Sequence, residues 1–451
     1  MSASKATNRV GSMFWAIVAS ANFVTSGQSQ MYVEVDKLTA SNGIADDHFG
    51  YSVSVDGGVI AVGAEQAATS KGSAYLYDVQ TGQELHELYP SVARSGDRFG
   101  RAIASDGGIV AVACPYEDSD SGVDTGAVYV YDAITGDQLL RIRANDRAAG
   151  DFFGSSVALG DGLLVVGATG ANGEIGAAYV FDVATGNQLA KLTPNTGAQF
   201  DRFGWSVAVD NGIAVVGARS HASNGINNSG AAYLFNAANG AQLFKLVPSD
   251  IAQSDLFGHA VAIDGGIVAV GSRRDDDLGN DSGSVYLFNA SNGVFIDKLR
   301  ASDGAAEERF GSAVAMHNGR LVVGAHLDDE SGPTSGSAYL FDVATRTEIT
   351  KLVPSDGFDG DEFGWFVDLN DDVIVVGAYL DDDQGNDSGS VYVFDEVCLA
   401  DTNGDGMVSP ADFSAWVAAF NAMTSACDQN GDGTCSPADF SAWVANYNSG
   451  C

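Results

Sequence analysis

Short runs of alternating apolar and polar residues, closed by glycine, asparagine or aspartate, recur along most of the chain. Residues 153–192 show the pattern. Phe153-Gly154 opens a run in which Val157 and Leu159 alternate with small residues, and Asp161-Gly162 turns it into the apolar stretch 163–168. Stretches 177–182 (AAYVFD) and 188–192 follow. Period-two alternation between Asp-Gly turns predicts four antiparallel strands. Phe-Gly opens such a unit at 49, 99, 153, 203, 257, 310 and 363. Seven four-stranded units, each about 50 residues long, predict an all-β seven-bladed β-propeller spanning residues 31–397.

The ends of the array fit together. The last unit stops at Ser390–Asp395 without the Lys-Leu strand that ends the others, and the chain supplies an orphan one at Val33–Leu38. The N-terminal strand is therefore expected to close the last blade, which removes an exposed sheet edge. In the strand after Phe-Gly, small Ala260 and Ala262 alternate with Val261 and Ile263, as suits a crowded position near a ring axis. An acid stands two places before every Phe: Asp47, Asp97, Asp151, Asp201, Asp255, Glu308 and Asp361. Recurrence in all seven units favours a carboxylate that caps backbone N–H groups of a turn over a ring of cation ligands. Unit 7 departs from the pattern with Trp365, Phe366 and Asp368, and Trp205 matches Trp365 in unit 4. These bulky residues read first as a wedge at the ring junction and second as a platform for a sugar.

Phe-Gly followed by stretches such as Val215–Ala218 and Val375–Ala378 resembles the FG-GAP repeats of integrin α-subunit propellers and exported bacterial proteins. The resemblance implies a propeller that presents a protein or glycan ligand-binding face. Integrin calcium loops lie between the Phe-Gly and the Gly-Ala; here that stretch is a short turn such as Asp264-Gly265-Gly266, so that site does not carry over. Acids crowd the following loop instead, at Asp275–Asp281 and Asp381–Asp387, with sparser versions at Glu117–Asp124 and Asp328–Glu330. Ca²⁺ takes six to eight oxygens, so these loops read either as extra calcium sites or as solvated turns.

The C-terminal segment 398–451 carries two near-identical twelve-residue stretches, 401–412 and 428–439. Both follow the EF-hand calcium-loop pattern. The expected ligands are Asp401, Asn403, Asp405, the Met407 carbonyl, Ser409 and Asp412, and then Asp428, Asn430, Asp432, the Thr434 carbonyl, Ser436 and Asp439. The segment has six acids and no Lys or Arg, and every acid falls on loop position 1, 5 or 12. Such confinement points to two bound calcium ions rather than diffuse surface acidity. Each loop leads into a helix with Ser as N-cap, Pro in the first turn and Asp as the capping-box acid. Phe413, Trp416, Val417 and Phe420, and then Phe440, Trp443, Val444 and Tyr447, place one apolar stripe on each helix, the expected core of the module. The duplicated loop–helix pair resembles a bacterial GC-type dockerin. That likeness implies a cohesin-like or other anchoring partner, although Pro410-Ala411 and Pro437-Ala438 replace the polar residues usual at the docking positions.

Cys398, Cys427, Cys435 and Cys451 cluster in this segment, which favours disulfides in an exported protein. Their pairing is open at this stage. Cys114 reads as a small buried residue. Export also fits the first 27 residues: Lys5 and Arg9 precede an apolar run from Met13 to Val24, with Ala19 and Ala21 spaced for cleavage of a signal peptide. No later run approaches the length that spans a bilayer. The expected location is secreted or at the cell surface.

Charge narrows the partners. With 22 basic and 59 acidic residues the chain carries −37, which excludes a nucleic-acid-binding footprint. Its 45% hydrophobic content excludes a disordered acidic polymer. His48, His86, His221, His259, His317 and His326 are scattered without a zinc spacing, and no nucleophile elbow or phosphate loop occurs. The expectation is an exported calcium-binding adhesion or ligand-binding protein. The alternatives are a dockerin-borne carbohydrate-active enzyme, hydrolase or lyase, working on the propeller axis, and a structural surface-layer component.

Overall fold

The computed structural model describes residues 30–92, 94–403, 408–429 and 434–449. The expected signal peptide lies outside them. Asp36–Val393 form one compact unit, and the described residues outside that range belong to a second.

The first unit is a ring of antiparallel sheets. In the third blade Phe153–Gly160 pairs with Leu163–Ala168, then Ala177–Asp182, then Gln188–Leu192, in sequence order. Asp161 and Gly162 both adopt positive φ in the first turn, the geometry that matches strand twist in a two-residue hairpin. Six of the seven sheets are consecutive in this way. The seventh takes Phe366–Leu369, Val373–Ala378 and Ser390–Cys398, with Gln30–Leu38 as its outer strand.

The second and third strands of each blade are covered on both faces and read as unbroken apolar runs such as Leu-Leu-Val-Val-Gly-Ala. Apolar residues of successive blades merge into one core: Ala111, Val128 and Val130 of blade 2 pack with Phe153, Leu164 and Tyr179 of blade 3. The Phe of Phe-Gly is the anchor at each junction. Phe153 is fully buried and meets Tyr179 and Phe181 edge-on, with centroids 5.6 and 5.7 Å away. The glycine behind it allows the approach to the preceding blade. A Cβ on Gly204, at φ +85°, would lie 2.3 Å from the Ala177 carbonyl oxygen. Blade 7 meets blade 1 by the same device, with Phe49 N donating to Ser388 O at 2.9 Å.

In the second unit, helices Pro410–Ala422 and Pro437–Ser449 pack aromatic faces together, with Phe413 and Trp443 centroids 5.1 Å apart. The expected stripe is only half enclosed. Trp416 and Trp443 are buried, whereas Phe413, Val417, Phe440 and Val444 stay largely exposed. Two helices of this length cannot cover both sides of the stripe. A disulfide joins Cys427 to Cys435. Cys451 and the side chain of Cys398 lie outside the described residues. Cys114 is a buried free thiol, as its position in an apolar strand predicts.

Candidate functional site

Most positions that recur in every blade serve the fold. Each acid before Phe-Gly accepts from the backbone N–H three residues earlier, for example Ile44 N to Asp47 (2.9 Å), Ala198 N to Asp201 (2.7 Å) and Phe358 N to Asp361 (2.7 Å). This is the capping role. Burial raises several of these carboxyls, Asp255 and Asp361 to about 6.

The acidic loops enclose a cation of the chain itself. Lys298 Nζ lies 2.9 Å from Asp250, 2.9 Å from Asp275 and 2.7 Å from Asp277. Lys351 repeats this with Asp303, Asp328 and Glu330, and Lys37 with Asp356, Asp381 and Asp383. Tyr286, Tyr339 and Tyr392 donate to the same acids. Burial opposes the charge on Lys37 and Lys351, but hydrogen bonds to their carboxylates outweigh it and raise both ammonium groups. In these three loops the carboxylates are thus paired with an ammonium of the chain itself.

Three positions per blade do vary: the residue before Phe-Gly, the residue after it, and the residue after the Gly-Ala of the second strand. Members of all three sets, among them Arg202, Trp205, His259, Arg273, His326 and Trp365, line one end of the axis, where a cavity of about 760 Å³ runs along the inner strands. Blades 4 to 7 place a basic and aromatic arc there. Blade 4 supplies Arg202, Trp205 and Arg219, with the Arg219 guanidinium 3.2 Å from the Trp205 ring centroid. Blade 5 supplies His259 and Arg273, blade 6 Arg309 and His326, and blade 7 Trp365 and Tyr379, whose centroids are 4.7 Å apart. Tyr51 of blade 1 closes the arc 5.7 Å from Trp365. The opposite end of the same cavity is acidic, with Asp56, Asp106, Asp161, Asp210 and Asp264 at the hairpin turns.

Charge at the basic mouth is only partly offset, by Glu362 and Asp281. Among the described residues, Arg202, Arg219, Arg273 and Arg309 form no ion pair, and Nε of Arg219, Arg273 and Arg309 is buried without a partner. Burial and neighbouring arginines pull Arg219 down to about 9 and Arg273 to about 10. Burial and the same guanidiniums hold His326 down to about 3 and His259 well below its usual range, so both imidazoles are neutral. The acid facing them is Glu362, whose carboxyl is raised chiefly by burial. Asp281 pairs with Arg274 at 3.5 Å.

Of the bulky residues in blade 7, Asp368 is structural: it accepts from Val55 N (2.9 Å) and Ser54 Oγ (3.0 Å) across the junction with blade 1. Trp365 faces the mouth, so the wedge reading holds for Asp368 and leaves Trp365 available. The arginines escape a motif search because they are scattered along the chain. Aligning the seven units would have found them, since they fall where the repeat does not recur.

In the second unit Asp412 and Asp439 are fully buried. Asp412 accepts from Ser409 N (2.8 Å) and Asn403 N (3.1 Å), and Asp439 from Ser436 N (2.7 Å) and Gln429 N (2.9 Å). In each loop the described backbone N–H groups on either side thus converge on the position-12 carboxylate. Asp405, Met407, Asn430 and Asp432 lie outside the described residues.

No curated protein matches the chain. Among solved structures, the computationally designed Ika8 protein is similar at 15% identity and a TM-score of 0.48, covering 80% of this chain and all of its own. The FG-GAP repeat model matches seven times, over residues 32–77, 83–131, 137–181, 187–235, 241–288, 294–341 and 347–394. Each match holds one Phe-Gly with its buried anchor, and together they span most of the chain: it belongs to the FG-GAP repeat family.

Proposed function

We propose that this is an exported ligand-binding or adhesion protein. The propeller presents its basic, aromatic axial mouth to a protein or glycan ligand, and the C-terminal module tethers it to a cell surface or scaffold. FG-GAP propellers are an extracellular ligand-binding and adhesion-like fold, and no helix among the described residues is long and apolar enough to cross a membrane. The observation that carries the reading is the asymmetry of the mouth. Residues that differ between otherwise like blades gather at one end of the axis, which folding alone does not require.

The tail fits two calcium ions. Asp401, Asn403, Asp405, Ser409 and Asp412 with the Met407 carbonyl, and Asp428, Asn430, Asp432, Ser436 and Asp439 with the Thr434 carbonyl, would hold them through hard oxygen donors. The buried, preorganised Asp412 and Asp439 support this. The half-exposed apolar stripe on the paired helices suits a dockerin-type contact with a cohesin-like partner. In this reading residues 1–27 are a removed signal peptide, 31–397 form the propeller with the N-terminal strand closing its last blade, and 398–451 form the tail. Calorimetry on the full chain should show about two strong calcium sites, reduced to one by Asp428→Ala. Equal binding by the wild type and an Asp401→Ala/Asp428→Ala variant would reject the assignment. A glycan and protein array probed with the full chain tests the ligand face.

A further inference from the structure

The chain's two kinds of buried cation are treated very differently. Lys298, Lys351 and Lys37 each have three carboxylates within 3.1 Å. With 59 acids in the sequence, counter-charges are plentiful. Yet Arg202, Arg219, Arg273 and Arg309 gather at one mouth with no carboxylate paired to any of them among the described residues. Arg202 is exposed, but Arg219, Arg273 and Arg309 are half-buried, and half-buried guanidiniums that repel one another are costly unless an anion completes them. Nε of Arg219, Arg273 and Arg309 and Nδ1 of His326 are buried donors or acceptors still without a partner. Arg202, Arg273 and His326 line the cavity, with Arg219 against its Trp205 and Arg309 near its His326; the cavity runs from this basic end to the aspartate-ringed one, which favours an anion entering here.

The flanks narrow the ligand further. Trp205 stands at one end of the basic arc, with one ring face covered by the Arg219 guanidinium at 3.2 Å. Trp365 stands at the other, against His326 (5.1 Å) and Tyr51 (5.7 Å). Flat aromatic faces pack against the apolar faces of pyranose rings, while arginine forks bind carboxylate or sulfate bidentately. His259 Nδ1 accepts from Arg219 Nη1 at 3.4 Å, which leaves its Nε2 and the unpartnered Nδ1 of His326 to hydrogen-bond hydroxyls. A volume of about 760 Å³ lies within the range of small-ligand sites.

We propose that the axial mouth binds an acidic saccharide, carboxylated or sulfated, with Arg219, Arg273 and Arg309 on its anionic groups and Trp205 and Trp365 against its sugar faces. This rests on the reading of the propeller as a ligand-presenting face and specifies the ligand class.

Calorimetry on the full chain with tetragalacturonate, a trisulfated disaccharide, neutral cellotetraose and a tetraglutamate peptide tests it. One or both acidic sugars should bind, with affinity falling as salt rises, and the stronger of the two tells carboxylate from sulfate. Arg273→Gln/Arg309→Gln should weaken that binding at least about tenfold, the loss expected for charged hydrogen bonds. Trp365→Ala should weaken it as well. The arginine double variant should also melt at a higher temperature than the wild type, because like charges have been removed; a merely structural role would lower it. Binding of cellotetraose or tetraglutamate as tightly as the acidic sugars, or acidic-sugar binding indifferent to the arginine variant, overturns the proposal. So does failure of both acidic sugars to bind. An array ligand lost in Trp365→Ala but kept in the arginine variant would leave the binding face standing and remove only the acidic class. An array with no ligand at all would remove both.

Discussion

Single carboxylates in this protein are tuned by where the backbone places them. Asp255 and Asp361 cap a turn, yet burial raises both to about 6 from an unfolded value near 3.8. A carboxyl raised in the folded state contributes stability that is fully present below about pH 3.8 and is lost as pH rises through about 6. Asp250, Asp303 and Asp356 oppose this below pH 4, because lysine partners lower them despite burial. The melting temperature is therefore expected to rise between pH 7 and pH 5, and Asp255→Asn/Asp361→Asn should flatten that slope. Thermal melts at both pH values read the result; an unchanged slope in the variant would show that the caps do not titrate there.

At the level of elements, the fourth strand of a blade does more than finish the sheet. It carries the lysine that neutralises the loop between the second and third strands, over the ring of the third-strand tyrosine. Lys298 Nζ is 4.9 Å from the Tyr286 centroid and Lys37 Nζ is 4.9 Å from that of Tyr392. Removing the ammonium leaves Asp250, Asp275 and Asp277 converging within 4.8 Å without a counter-charge. Lys298→Met should cost about 3 kcal/mol, the scale seen when one partner of a buried ion pair is lost. Urea unfolding measures it, and a cost within error of zero would mean that these acids are held apart by other contacts.

Over the whole propeller unit, stability comes from each blade covering its neighbour's core. Lys37 connects the N-terminal strand to the acids of blade 7 as Lys298 serves blade 5 and Lys351 blade 6. Deleting residues 30–38 should expose the edge of Ser390–Cys398 and strip that charge cluster of its cation. The melting temperature should fall by at least about 5 °C, a loss of a few kcal/mol for a unit of this size, and light scattering should report association. An unaltered melt with a monodisperse sample would count against strand closure.

The sequence by itself determined the strands, their number per blade and the count of blades. Alternation, Asp-Gly turns and the regular return of Phe-Gly are local signals, and neighbouring residues read them directly. It also determined the capping acids, since a side chain that bonds a backbone group three residues away needs no tertiary information. Tertiary structure alone decided the fate of the acidic loops and the nature of the mouth. Asp275 meets Lys298 only after the third strand has crossed the sheet, and Arg202, Arg273 and Trp365 share one end of the axis only once the blades stand side by side. Charge counted along a chain says how much there is. Which charges are paired and which are left facing a cavity depends on through-space distances that ring assembly sets.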